Sequence, residues 1–132
     1  MRAKDNAIHP ASKQLIERVE AEMSAGRHDS ALALIDAAVS TIAHDVEVRI
    51  KRGAVLRRLG RIRESVEHLR DLHGDHPNNV GVLNQLAASQ RLAGDIDASD
   101  ALLDAALALR PRHRGALLGK VSNSKKRADR PQ

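Results

Sequence analysis

Apolar residues recur three and four positions apart along this chain, as in Val48, Val55, Leu56 and Leu59, then Ile62, Val66, Leu69 and Leu72, then Leu102, Leu103, Ala106 and Leu109. That spacing gathers them on one face of a helix, and no alternating pattern of useful length suggests a strand. The pattern is also punctuated. The stretch RLGRIRESVEHLRDLHGDHPNN, residues 58–79, runs from a glycine through a charged amphipathic segment to a proline, and similar marks follow Ala25 and Ala93. Gly26, Gly60 and Gly94 lie at intervals of 34 residues, as do Pro77 and Pro111, with Ala43 at the matching place in the first unit. Glycine ends a helix where the backbone turns left-handed, and Asp29, Ser30, Asp95 and Asp97 just beyond suit the start of the next one. Each unit therefore reads as helix, tight turn, helix. The first helices are expected at 12–25, 46–59 and 80–93, and the second ones at 29–42, 63–74 and 96–109.

A fixed period of this size marks an architecture of stacked supersecondary units, none of which can bury its apolar face alone. The expected organisation is a disordered segment over 1–11, three units over 12–45, 46–79 and 80–113, and a short capping helix over 114–121. That helix carries Ala116, Leu117, Leu118 and Val121 and is interrupted by Gly115 and Gly119. Residues 122–132, SNSKKRADRPQ, hold no apolar residue but Ala128 and are expected to form a basic disordered tail.

Composition changes this picture in two ways. The 132 residues include no Phe, Trp or Tyr, so any core is built from Leu, Ile, Val and Ala without the large areas that rings bury. The net charge of +5 is also uneven: residues 1–109 hold 14 Lys and Arg against 16 Asp and Glu, giving −2, whereas residues 110–132 hold 8 against 1, giving +7. With no cysteine there is neither a disulfide framework nor a thiolate metal site. The first residues, MRAKDNAIHP, lack a secretory apolar run, and a cytoplasmic protein is expected.

Helix pairs of 34 residues with this punctuation resemble the tetratricopeptide repeat (TPR) family. In the third unit Leu83 stands at the family's aromatic place, Leu86 and Ala87 at its Leu-Gly pair, and Ser99, Leu103, Ala106 and Pro111 at later places of the pattern. Gly53, Ser65, Leu69 and Pro77 match in the second unit, and Ala31, Ile35 and Ala38 in the first. The chain departs from the family at Arg18 and Arg52, which replace a packed leucine, and at Arg49, which replaces the aromatic. These arginines must reach water or pair with carboxylates on neighbouring helices.

The resemblance implies an all-α, right-handed α-α superhelical solenoid whose first helices line a concave groove for a peptide or partner helix. Carried onto this chain, that groove holds Ile16, Glu20 and Met23, then Ile50, Lys51, Arg57 and Arg58, then Asn84, Gln85 and Arg91. Arg57, Arg58 and Arg91 suit an acidic partner, since guanidinium forks match carboxylates; the alternative is a merely solvated charged face. The family's clamp for chaperone carboxyl termini is missing, because its places read Ile16, Glu20, Lys51, Gly81 and Gln85.

Other chemistry finds little support. His68, His73 and His76 match no metal-ligand spacing, and GALLGKVS has neither the glycine spacing nor the hydroxyl of a phosphate loop. No pattern pairs a nucleophile with a base, so neither an enzyme nor a cofactor is expected. The expected function is a non-catalytic adaptor or scaffold. Alternatives are the non-catalytic part of a larger bacterial enzyme, or a self-assembling protein that uses Leu102, Leu109 and Leu118 at an uncapped solenoid end. Nucleic-acid contact through the basic tail is a weaker alternative, since the chain has no ring on which bases could stack.

Overall fold

The computed structural model describes residues 8–38 and 40–129, which form eight helices. These are α1 (Pro10–Ser24), α2 (His28–Asp36), α3 (Ser40–Ala43), α4 (Val46–Arg58), α5 (Ile62–Asp75), α6 (Val80–Leu92), α7 (Ile96–Leu109) and α8 (Arg114–Ala128). Three hairpins, α1 with α2, α4 with α5 and α6 with α7, stack in order, and each second helix also packs against the next first helix. The first helices α1, α4, α6 and α8 touch one another in series and so form the inner layer of an α-α solenoid. No described helix is long and apolar enough to cross a membrane.

The 34-residue marks have a common geometry. Gly26, Gly60 and Gly94 take φ of 80°, 81° and 94°, and the next residue's N–H reaches back five residues to a carbonyl, as Arg27 to Glu22, Arg61 to Leu56 and Asp95 to Gln90. This closes the last turn of each first helix in a conformation that disfavours any residue with a Cβ. The starts repeat as well: Asn79 Oδ1 accepts from the Val82 N–H and His113 Nδ1 from the Ala116 N–H, one period apart.

The core is a line of three apolar clusters. Val19, Ala31, Leu32, Ile35, Val48, Val55 and Leu56 form the first, Val66, Leu69, Leu72, Val82 and Leu86 the second, and Leu83, Ala87, Leu103, Ala106 and Ala116 the third. Without rings, the helices must approach closely to exclude water. A Cβ added at Gly53 would lie 2.5 Å from the Leu69 side chain, so α4 and α5 are in contact at that glycine.

Two stretches differ from the sequence expectation. The second helix of the first unit stops at Asp36, not near residue 42, and a separate short helix, α3, follows at Ser40–Ala43. At the other end the expected short cap and disordered tail are replaced by one helix that continues to Ala128. Asn123 in its middle is fully buried, and Arg127 pairs with Asp97 and Asp100 of α7. Tertiary hydrogen bonds supply there what apolar residues do elsewhere. The expectation of disorder over 1–11 falls largely on undescribed residues, and α1 already begins at Pro10.

The unusual arginines resolve individually. Arg52 Nε donates to Asp36 Oδ1 on α2 at 3.0 Å, and Arg49 approaches Asp75 on α5 at 3.7 Å, while Arg18 is exposed. Beside them His68 Nε2 donates to the Arg49 carbonyl at 2.7 Å. Burial pushes the His68 pKa down, with Arg52 and Arg49 adding to the effect, so the folded imidazole takes up its proton at lower pH than the unfolded one.

Two outcomes follow. Removing residues 122–132 strips Ser99 and Arg91 of their Asn123 partner, which costs about 1–3 kcal/mol and lowers the melting temperature by several degrees in calorimetry; an unchanged transition would mean that the last turns of α8 are not held. Stability falls as pH drops below about 6.5, because the unfolded chain then binds the proton first. Melting curves of His68→Gln measured from pH 7.5 to 5 are expected to fall less steeply than those of the wild type.

Candidate functional site

The row of first helices carries a hydrogen-bond chain that occurs twice, one period apart. Arg57 Nη1 donates to Ser89 Oγ at 3.1 Å, the Ser89 and Ser65 hydroxyls lie 2.7 Å apart, and Ser65 Oγ donates to the Gly53 carbonyl at 2.8 Å. Since the Ser65 hydrogen is committed to the carbonyl, Ser89 must donate to Ser65. In the second copy Arg91 Nε donates to Asn123 Oδ1 at 2.6 Å, Asn123 Nδ2 to Ser99 Oγ at 3.0 Å, and Ser99 Oγ to the Ala87 carbonyl at 2.7 Å. Both chains run from a guanidinium through one amphoteric group to a serine and a helix carbonyl. In the first unit the corresponding places are Met23, Val55, Ala31 and Val19, all apolar.

These chains fix two cations without neutralising them. The Arg57 fork makes three contacts, to Ser89 and to the Gln85 carbonyl and side chain, all with neutral acceptors. Two of the five guanidinium N–H groups then have no acceptor among the described residues. Burial, followed by the nearby charges of Arg58 and Arg91, pulls the Arg57 pKa down to about 10, so it stays cationic at neutral pH. Burial likewise lowers the Arg91 pKa, with Asp100 partly opposing it. One period beyond Arg91 stands Lys125, which lines an open pocket with Arg91, Ser122, Lys126 and Asp129. Arg57, Arg91 and Lys125 thus occupy one register place on α4, α6 and α8. Arg58 and Lys126 follow them in sequence, and among the described residues none of the five has a carboxylate within ion-pair distance.

The remaining expected groove residues are placed as follows. Ile16 and Met23 lie partly buried on the first cluster, and Ile50 on the second. Lys51 Nζ pairs with Glu20 at 2.9 Å between α4 and α1, so these two charges satisfy each other. Asn84 lies against Gly115 of α8, and Gln85 accepts from Arg57. Arg58 is exposed. Among the residues expected at a self-association face, Leu102 packs half-buried on the second and third clusters, whereas Leu109 and Leu118 are exposed. No group of three or more His, Cys, Asp or Glu able to hold a metal occurs among the described residues.

Ser89, Asn123, Lys125 and Lys126 are absent from the sequence-derived site. Counting 34 residues on from Val55 and Arg91 would have reached the first three, but the apolar signal of α8 fades at Val121 and hides the continuing register.

No protein-family model matches the chain, and no curated protein matches it in sequence. Solved structures do match. The Sgt2 TPR domain from Aspergillus fumigatus superimposes with a TM-score of 0.77 at 16% identity, over 96% of this chain and 89% of that one. A thermophilic TPR protein of Thermus thermophilus gives 0.77 at 18% identity, over 89% of this chain and 66% of that one. The first TPR of Spaghetti, solved with the HSP90 peptide SRMEEVD, gives 0.72 at 13% identity, over 89% and 94%. The class of fold is therefore a solenoid of the tetratricopeptide repeat type.

The apolar first unit supplies a control for the polar chains. Ser89→Val alone strands Ser65 and Arg57 and is expected to cost about 1–3 kcal/mol. Arg57→Met with Ser65→Ala and Ser89→Val copies Met23, Ala31 and Val55 and is expected to stay within about 1 kcal/mol of wild type, since an apolar replacement of a whole buried polar set is often near neutral. Urea denaturation distinguishes them; a triple variant weaker than the single one would make the arginine a structural necessity.

Proposed function

We infer that this chain is a non-catalytic interaction module that takes up an acidic, extended segment of a partner protein along α4, α6 and α8. The observation that carries this is the column Arg57, Arg91 and Lys125, repeated at one register place and, among the described residues, without a carboxylate within ion-pair distance, while Lys51, Arg52, Arg61 and Arg127 nearby all have one. Two of the three are arginines held in place by hydrogen bonds, so little side-chain entropy is lost when a carboxylate binds. Arg57 in particular, buried and beside the charges of Arg58 and Arg91, is stabilised by an anionic ligand. The SRMEEVD peptide on a protein of the same fold supports an acidic ligand class, but the residues here differ from the chaperone clamp, and the cations lie at other places.

Packed helices lie roughly 8–10 Å apart. A polyproline II segment advances about 9 Å in three residues, which puts every third side chain on one face. The preferred ligand therefore carries Glu or Asp at every third position, with an apolar residue toward Met23, where the column is uncharged.

The test is fluorescence anisotropy with a labelled proline-rich peptide of about a dozen residues bearing Glu at every third position. Comparison is with a peptide of equal composition whose Glu residues are clustered. The spaced peptide is expected to bind more tightly and to weaken with salt. Arg58→Glu with Lys125→Glu, both at exposed positions, is expected to raise Kd by roughly tenfold or more. Equal affinity of wild type and variant would overturn the reading.

A further inference from the structure

Among the described residues no second helix packs on α8 as α7 packs on α6, and the register of α8 shows which side chains that leaves open. Leu117 lies one period after Leu83 and Val121 one period after Ala87. Leu83 and Ala87 are 1% and 0% exposed because α7 covers them with Leu103 and Ala106. Leu117 and Val121 are 46% and 57% exposed, and Leu118 beside them is 55% exposed. Leu109, at the end of α7, is also open, over a cleft of about 640 Å³ that it lines with Arg110, Pro111, Arg112, His113 and Arg114. The molecule thus presents a helix seat, apolar along α8 and rimmed at the start of α8 by three exposed arginines.

Charge decides between possible occupants. A second copy that applied its own α8 about a two-fold axis would bring the α8 cations of the two chains together in either orientation, since Arg114 and Lys125 flank the apolar patch. The opposite end of a second copy is also a poor mate. Gln14, Arg18 and Glu22 hold the places that Val48, Arg52 and Leu56 take in α4, so that end sets a cation and an acid already paired with Arg27 around Ala21, Ala33, Leu34 and Ala37, and it offers no row of acids to the three arginines. We propose that this seat docks an amphipathic helix of another protein whose last turns are acidic, lying antiparallel on α8 as α7 lies on α6. That orientation sets the helix C-terminus, the negative end of its dipole, together with its acidic side chains, over Arg110, Arg112 and Arg114. Leucine or isoleucine at helical spacing covers Leu117 and Val121. Because Val121 is larger than Ala87, the docking helix carries alanine or glycine where α7 carries Ser99.

The seat meets the cation column only at Lys125, and the experiment keeps the two apart by leaving Lys125 in place. The probe is a labelled synthetic helical peptide with a leucine and alanine stripe and three glutamates in its last two turns; a second version carries lysines at those three places. Anisotropy is measured against the full chain, against Leu117→Ser with Val121→Ser, and against Arg58→Glu. Leu117 and Val121 are exposed, so their replacement is expected to leave the fold intact, as circular dichroism would verify. The proposal expects saturable binding of the glutamate peptide, at least roughly tenfold weaker binding of the lysine peptide and to the Leu117, Val121 variant, and less than roughly threefold change for the Arg58 variant. Equal binding of both peptides, or undiminished binding to the Leu117, Val121 variant, overturns it. Sedimentation velocity supplies a further check: a wild-type dimer that the Leu117, Val121 variant converts to monomer would make the occupant a second copy and also overturn the proposal.

Discussion

A core without aromatic rings has to be thin, and most of this structure follows from that constraint. Leu, Ile, Val and Ala fill little space between helices, so water is excluded only if the helices approach until small residues meet backbone. Gly53 against Leu69 is one such approach. The same closeness brings the Ser65 hydroxyl to the Gly53 carbonyl and Ser99 to the Ala87 carbonyl. Each serine can donate only one hydrogen and needs a donor of its own, which Ser89 or Asn123 supplies from the next first helix. The thin core thus produces a polar stitch between consecutive units, and the stitch ends on an arginine.

That termination links packing to function. A guanidinium held by neutral oxygens gains hydrogen bonds but no opposing charge, and in a half-buried place the lack of a counter-charge is felt more strongly than in water. The first unit shows that the fold does not require this arrangement, since Val19, Met23, Ala31 and Val55 fill the equivalent places with hydrocarbon. The proposed acidic ligand would use the cations retained in the second and third units. The chain balances charge elsewhere: Asp100, which accepts from Asn123 and Arg127, has its pKa lowered to about 2, and Asp104 serves Lys120. The uneven distribution of partners, more than the net charge, distinguishes the candidate site.

The fold was largely legible because its signals are local. Glycines at positive φ, the cap at Asp95, and apolar residues at helical spacing each act within a few residues of chain, and the 34-residue recurrence of the glycines made the units countable. The site was only partly legible. Arg57, Arg58 and Arg91 stand out as charges among apolar helices, but nothing local separates them from Lys51 or Arg52, which turn out to be paired across helices with Glu20 and Asp36. Likewise the last turns of α8 look unfavourable residue by residue, because what holds them lies on α6 and α7.

By itself the sequence determined the number of units, their helices and their turns, since backbone conformation at a glycine or a cap depends on neighbours in the chain. Which cations stay without a counter-charge, how far α8 continues, and which leucines remain uncovered were decided by the tertiary structure. Those properties depend on distances between side chains one repeat apart, and packing of the helices alone brings such residues together.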